Sequence, residues 1–224
     1  MKIAGLQKLT LLDYPNKIAC TVFISGCNMS CGYCHNWQMV AGCDPVMNNE
    51  DFFAFLDSRK GKLTGVCVTG GEPLMSDGIE GFVRTIKEKG FAVKLDTNGS
   101  YPDKLHGMLE QNLIDYVAMD VKNSPDKYNL TAGIGFRLME VRRSIEILLS
   151  CDVDYEFRTT VVRGLHDESD FHEIGKMIQG AKKYYLQNFV QSPSVPKRLE
   201  GFSGEELQAF AEIMRGYIPN TEVR

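Results

Sequence analysis

No run of apolar residues in this chain approaches the roughly 20 that a membrane span needs, so no spanning helix is expected. The opening stretch MKIAGLQKLTLLDYPNK lacks the apolar block of a secretory signal. Positive charge is not in excess: 25 Lys and Arg against 29 Asp and Glu give a formal net charge of −4. That balance argues against nucleic-acid or anionic-membrane partners held by bulk electrostatics. Low-complexity tracts and Pro/Gly/Ser linkers are missing, so one domain spanning 1–224 is expected. The seven cysteines are an odd count with no second C-x2-C group, which suits a reducing compartment better than a disulfide framework. The expected location is cytoplasmic.

What remains is a globular composition with short β-rich runs alternating with amphipathic segments. Runs 18–25, 65–69, 91–96, 116–121, 154–162 and 183–190 are rich in Val, Ile, Phe, Tyr and Thr and are bounded by turn formers, which predicts strands. Between them, 48–60 predicts a helix capped by Asn49. The run 76–90 predicts another, beginning at Ser76 with Ile79, Phe82, Val83 and Ile86 on one face and stopping at Gly90. Helices are also predicted over 102–112, 137–150 and 168–183. A last one over 203–217 opens with Ser203 and Glu206 in a capping-box pattern. Segment 192–202 reads as a loop. Six strand–helix repeats predict an α/β fold with a parallel sheet, wrapped by right-handed crossovers into a full or partial (β/α) barrel.

Three cysteines, Cys27, Cys31 and Cys34, are spaced C-x3-C-x2-C in the run CNMSCGYCHNW. A four-iron cluster normally takes four cysteine ligands. Three thiolates leave one iron open, as catalytic zinc keeps one position free. The other reading is structural zinc completed by His35 or Cys43, although such ligands usually come as two separated pairs and no second pair is present. Gly26 and Gly32 give the short loop freedom to fold around a cluster. Tyr33 reads either as an aromatic face beside that cluster or as a packed core aromatic.

Every other polar signature falls just after a predicted strand, at the end where parallel α/β barrels carry their active sites. Gly70-Gly71 reads as a tight turn or as backbone that a ligand can approach, with Glu72 placed to accept from an ammonium. Asp96 and Asn98 lie in Asp-Thr-Asn-Gly, a turn sequence that also places a carboxylate near sugar hydroxyls. Asp120, Lys122 and Arg158 follow. The two cations read as solvated, as paired with Asp120 or Glu156, or as neutralising a carboxylate or orienting a substrate. His166, in the loop after the fifth strand, is placed to contact a ligand. His106 and His172 fall on helices. Cys20, Cys67 and Cys151 read as buried, inert thiols, and Cys43 has no evident partner.

With C-x3-C-x-Y-C at 27–34 and GGEP at 70–73, the chain resembles the radical S-adenosylmethionine (SAM) superfamily. DTNG at 96–99, MDVK at 119–122 and FRTTVV at 157–162 are similar to the activating enzymes of glycyl-radical enzymes. The stretch from Gly5 to Trp37 is most similar to activators of anaerobic ribonucleoside-triphosphate reductase, which are shorter than this chain. The resemblance implies a partial (β/α)6 TIM-type barrel of the radical SAM superfamily. It implies that Cys27, Cys31 and Cys34 hold three irons of a [4Fe-4S] cluster and that the amino and carboxylate groups of S-adenosyl-L-methionine chelate the fourth. Gly70, Gly71 and Glu72 would face the methionine amino group, Asp96 and Asn98 the ribose, Lys122 and Arg158 the carboxylate, with Tyr33 beside the cluster and His166 toward the adenine. Reductive cleavage would give a 5′-deoxyadenosyl radical that takes a hydrogen from a glycine of a partner glycyl-radical enzyme. No cysteines are present for extra clusters, so the electron would come from a separate flavodoxin or ferredoxin. Two rival readings are a radical SAM enzyme acting on a small molecule, of the carboxy-deazaguanine synthase kind, and a zinc-bound binding module without catalysis.

Overall fold

Strands form where β-branched and aromatic residues cluster, and each predicted run holds one. The computed structural model describes residues 1–133, 135, 138–195 and 197–224. By its internal contacts the chain divides into two compact units: Met1–Asn28, Gln38–Thr97 and Asp103–Val117 in the first, and Met29–Trp37, Asn98–Pro102 and Ala118–Arg224 in the second.

The first unit carries β1 (Ile3–Thr10), β2 (Ala19–Ile24), most of α1 (Trp37–Val40), α2 (Asn49–Ser58), β3 (Gly65–Gly70), α3 (Ile79–Glu88), β4 (Ala92–Thr97) and most of α4 (Pro102–Glu110). Strand β2 is parallel to β3, and β3 to β4. The first predicted strand is therefore β2. Ahead of it, β1 runs antiparallel to β2, an addition that the sequence reading did not contain. Gly5 and the polar pair Gln7-Lys8 break the apolar alternation there, so the stretch lacks a strand signature. Helix α3 buries Ile79, Phe82, Val83 and Ile86, the face expected of it. On α2, Phe52 stacks on Phe82 at a centroid separation of 5.2 Å.

Two expected helix starts move. The cap of α2 is Asn48, not Asn49: Asn48 is extended and its Oδ1 accepts from the Asp51 amide at 2.8 Å. Of two adjacent asparagines, the one three residues ahead of an unpaired N–H becomes the cap. Helix α3 begins at Ile79 after Gly78, whose φ of 77° lies in the left-handed region, and Ser76 instead closes a 3₁₀ turn over Pro73–Met75. Pro73 pre-sets the first φ of that turn.

The second unit holds the end of β5 (Tyr116–Asp120), α5 (Tyr128–Ala132), α6 (Leu138–Ser150), β6 (Asp154–Val161), α7 (Glu168–Met177), β7 (Tyr184–Asn188), α8 (Gly204–Arg215) and β8 (Thr221–Val223). Strands β6, β7 and β8 are successively parallel. The three-residue β8 was too short to read in advance. The predicted start of α6 at 137 and residue 196 of the predicted loop lie outside the described residues. Phe171 of α7 stacks on Phe210 of α8 at 4.5 Å. Cys20 and Cys67 are buried as expected, whereas Cys151 is half-buried in the turn after α6, its thiol directed at the Leu148 carbonyl at 3.3 Å. Among the described residues, no helix is long and apolar enough to cross a membrane.

Helix α8 carries the expected capping box, with Ser203 and Glu206 each accepting from the other's backbone amide. Replacing Ser203 by Ala leaves one such donor unpaired, which costs about 1 kcal/mol. The expected result is a melting temperature lower by about 2–4 °C, read by thermal denaturation.

Candidate functional site

Three backbone elements of the first unit meet at the start of the cysteine loop. The Gly71 amide donates to the Ile24 carbonyl at 2.9 Å, and the Glu72 amide to the Gly26 carbonyl at 2.8 Å. The Gly26 and Cys27 amides in turn donate to Met39 and Val40 at 2.8 and 3.2 Å. A Cβ on Gly71 would stand 2.0 Å from the Gly26 oxygen and 3.2 Å from the Cys27 Cβ, and one on Gly70 (φ 124°) 2.3 Å from the Ile24 oxygen. The Gly-Gly pair is thus a close approach of two backbones, not an ordinary turn. Glu72 is fully buried, and its Oε1 accepts from the Leu74 amide at 3.0 Å and the Thr97 hydroxyl at 2.9 Å. Cys43, for which no partner was foreseen, meets Ser25: its amide donates to the Ser25 Oγ at 2.8 Å.

In the same unit Asp96 lies at the end of β4. Its carboxylate is ion-paired with Lys94 and accepts from the Thr69 hydroxyl at 3.3 Å. Sequence reasoning passed over Lys94. Its signal was the spacing to Asp96, since residues two apart on a strand share a face.

The second unit contains the rest of the loop. The Ser30 amide donates to the Ala132 carbonyl at 3.0 Å and its hydroxyl to the Gly133 carbonyl at 2.7 Å. Cys31 is buried, with its Sγ 3.6 Å from the Ala132 oxygen. The Cys34 amide closes a turn onto the Cys31 carbonyl at 3.1 Å. His35 stacks on Phe189 at 5.5 Å and bonds the Val190 carbonyl at 2.7 Å through Nε2. Tyr33 is buried, and its hydroxyl has no hydrogen-bond partner among the described residues.

Charge is concentrated at the ends of β5 and β6 of that unit. Asp120 takes Arg158 Nε on one oxygen at 2.5 Å and Lys122 Nζ on the other at 2.8 Å. Burial works to raise the Asp120 carboxyl, but the Arg158 and Lys122 charges outweigh it and hold it well below the usual carboxylate range. Lys122 stays protonated against its own burial because of Asp120. Both cations therefore pair with Asp120. Burial also pushes the Cys31 and Cys34 thiols up, opposed in each case by Lys122. Asn98 is buried, its Oδ1 occupied by the Ser100 amide at 3.0 Å and the Ser100 hydroxyl at 2.6 Å.

His166 differs from expectation. It is buried, Nδ1 accepts from the Val162 amide at 3.1 Å, and Nε2 meets the Lys122 carbonyl at 2.9 Å. With both ring nitrogens engaged by backbone, it braces Lys122.

The donor chemistry fits an iron–sulfur cluster. Zinc requires its sulfurs about 2.3 Å from one centre, whereas a cuboidal cluster binds each thiolate at a separate iron. The buried, unpartnered Tyr33 hydroxyl beside Cys31 and Cys34 is a polar atom left for a bound group.

Comparison with known proteins agrees. Residues 21–178 match the radical SAM superfamily. A protein of Methanocaldococcus jannaschii, provisionally named a glycyl-radical enzyme activating enzyme, is 34% identical over 230 residues, covering 99% of this chain and 95% of its own. The pyruvate formate-lyase 1-activating enzyme of Escherichia coli K12 is 27% identical over 187 residues, 78% of this chain and 74% of that one. A radical SAM methyltransferase from Sphaerobacter thermophilus has the same fold, with a TM-score of 0.70 at 19% identity over 94% of this chain and 67% of that one. This chain belongs to the radical SAM superfamily. It is a radical SAM enzyme with an α/β fold and a parallel sheet, consistent with the expected partial TIM-type barrel, and enzymes of this superfamily use a [4Fe-4S] cluster and SAM.

Two outcomes follow from this geometry. Gly71→Ala must displace the Gly26–Cys27 backbone, so iron bound after anaerobic reconstitution is expected to fall below half of the wild-type content, measured by iron assay and visible absorbance. For His166, burial lowers the ring's pKa below its ordinary 6.5, against the pull of the Lys122 and Val162 backbone. The unfolded chain then binds the proton more readily than the folded one, so stability is full above the unfolded pKa and falls as pH drops through it. Thermal melts between about pH 7.5 and about pH 5.5 are expected to show this loss, and His166→Gln to flatten it.

Proposed function

We propose that this chain is the activating enzyme of a glycyl-radical enzyme. The observation that carries the reading is the three-cysteine loop, whose Cys31, Tyr33 and Cys34 lie in the field of Lys122 and Asp120. Residues 1–224 act as a single radical SAM core domain.

Cys27, Cys31 and Cys34 would each hold one iron of the cluster. When bound, the reduced cluster and SAM supply reductive cleavage of the sulfonium C–S bond, which yields a 5′-deoxyadenosyl radical. The protein's part is to bind and orient. Gly70 and Gly71 would lie toward the methionine amino group, and the buried Glu72 carboxylate would accept from it. Asp96 and Asn98 orient the ribose. Lys122 and Arg158, held by Asp120 and braced by His166, direct positive charge to the methionine carboxylate. Tyr33 packs beside the cluster. The hydrogen is taken from a backbone glycine of the partner, and anaerobic ribonucleoside-triphosphate reductase is the partner that the stretch from Gly5 to Trp37 favours. A cytoplasmic flavodoxin or ferredoxin delivers the electron.

The test is anaerobic reconstitution with iron and sulfide, then reduction with SAM present. Formation of 5′-deoxyadenosine is expected, with at least about a hundredfold loss in Cys27→Ala, Cys31→Ala or Cys34→Ala. Mixing with the candidate reductase should then give a glycyl-radical spin signal. 5′-Deoxyadenosine without that signal in any glycyl-radical partner would favour a small-molecule substrate.

A further inference from the structure

The strands of the first unit carry a polar row that the assignments above leave unused. In the register of β2, β3 and β4, Thr21 stands beside Cys67 and Cys67 beside Lys94. Asp96 follows two residues along β4, on the same face as Lys94. Lys94 is only 2% exposed. Its ammonium is paired with Asp96 Oδ1 and lies 3.9 Å from the Cys67 sulfur. The Cys67 thiol is directed at the same Asp96 oxygen at 3.7 Å, while Oδ2 accepts from the Thr69 hydroxyl at 3.3 Å.

A buried ion pair stabilises a fold no better than well-packed apolar residues of similar volume. Packing alone therefore gives no reason for a lysine at this depth. What the lysine supplies, and an apolar residue cannot, is a fixed positive charge beneath the carboxylate. That ammonium and the Thr69 hydroxyl together set the plane of the carboxylate. An ionised carboxylate accepts hydrogen bonds only, which is what a pair of sugar hydroxyls requires.

We propose that Lys94 is a positioning residue: it holds the Asp96 carboxylate oriented as the acceptor for the ribose hydroxyls of SAM. This rests on the reading of Asp96 given under Proposed function.

The experiment measures equilibrium binding of three probes to the reconstituted enzyme: SAM, 5′-deoxyadenosine, which carries the ribose and adenine without the methionine, and methionine, which lacks both. In Lys94→Met, affinity for SAM and 5′-deoxyadenosine is expected to fall about tenfold or more with methionine unchanged. Asp96→Asn should reproduce that pattern. The double variant Lys94→Met/Asp96→Asn, which leaves no buried charge unpaired and so folds even if Lys94→Met does not, should bind SAM no more weakly than Asp96→Asn alone. Lys94→Arg should recover part of the loss. Equal weakening of all three probes by Lys94→Met, or unchanged binding with only a lower melting temperature, would overturn the positioning role while leaving the Asp96 reading intact. Strictly additive losses in the double variant would do the same. Unchanged SAM affinity in Asp96→Asn would remove Asp96 from the ribose, and the role of Lys94 with it.

Discussion

The backbones of Gly71 and Gly26 lie so close that no side chain fits between them, and the geometry of the cysteine loop depends on that contact. Two hydrogen bonds join the segments, from Gly71 to Ile24 and from Glu72 to Gly26. They fix the direction in which the chain leaves β2, and hence where Cys27 stands. Glu72 is drawn in by the same contact and finds its partners in Leu74 and Thr97. One close approach therefore sets a prospective metal ligand and a buried carboxylate at once. This couples two motifs 43 positions apart, from Cys27 to Gly70, which read in the sequence as separate signals.

A second theme is that charges are held in place before any ligand arrives. In the second unit Asp120 is gripped from both sides by Lys122 and Arg158, and His166 secures the Lys122 backbone. In the first, Lys94 grips Asp96. Each arrangement removes rotamer freedom from a buried charged side chain.

The strands were legible because each is a short run of β-branched and aromatic residues between turn formers, and the chemistry was legible because cysteine spacing and strand-end motifs are local. Features set by tertiary approach were not. Nothing local distinguishes Asn48 from Asn49 as a cap, and only the fold shows that Gly78 rather than Ser76 precedes α3. His166 sits where a ligand-facing residue would be expected, yet its nitrogens are taken by Val162 and Lys122, the latter 44 residues away. Lys94 reads as an ordinary residue of a strand, and only the register that sets it beside Cys67 reveals its burial.

The ties on the cysteine loop also bear on the order of events during synthesis. Ser30 and Cys31 are secured by the carbonyls of Ala132 and Gly133, and His35 by Val190, a partner 155 residues further on. Contacts of such long sequence separation form late, after the intervening chain has emerged and closed its loops. Ser30, Cys31 and His35 therefore acquire their fixed surroundings later than Cys27, whose ties reach to residues 40 and 71.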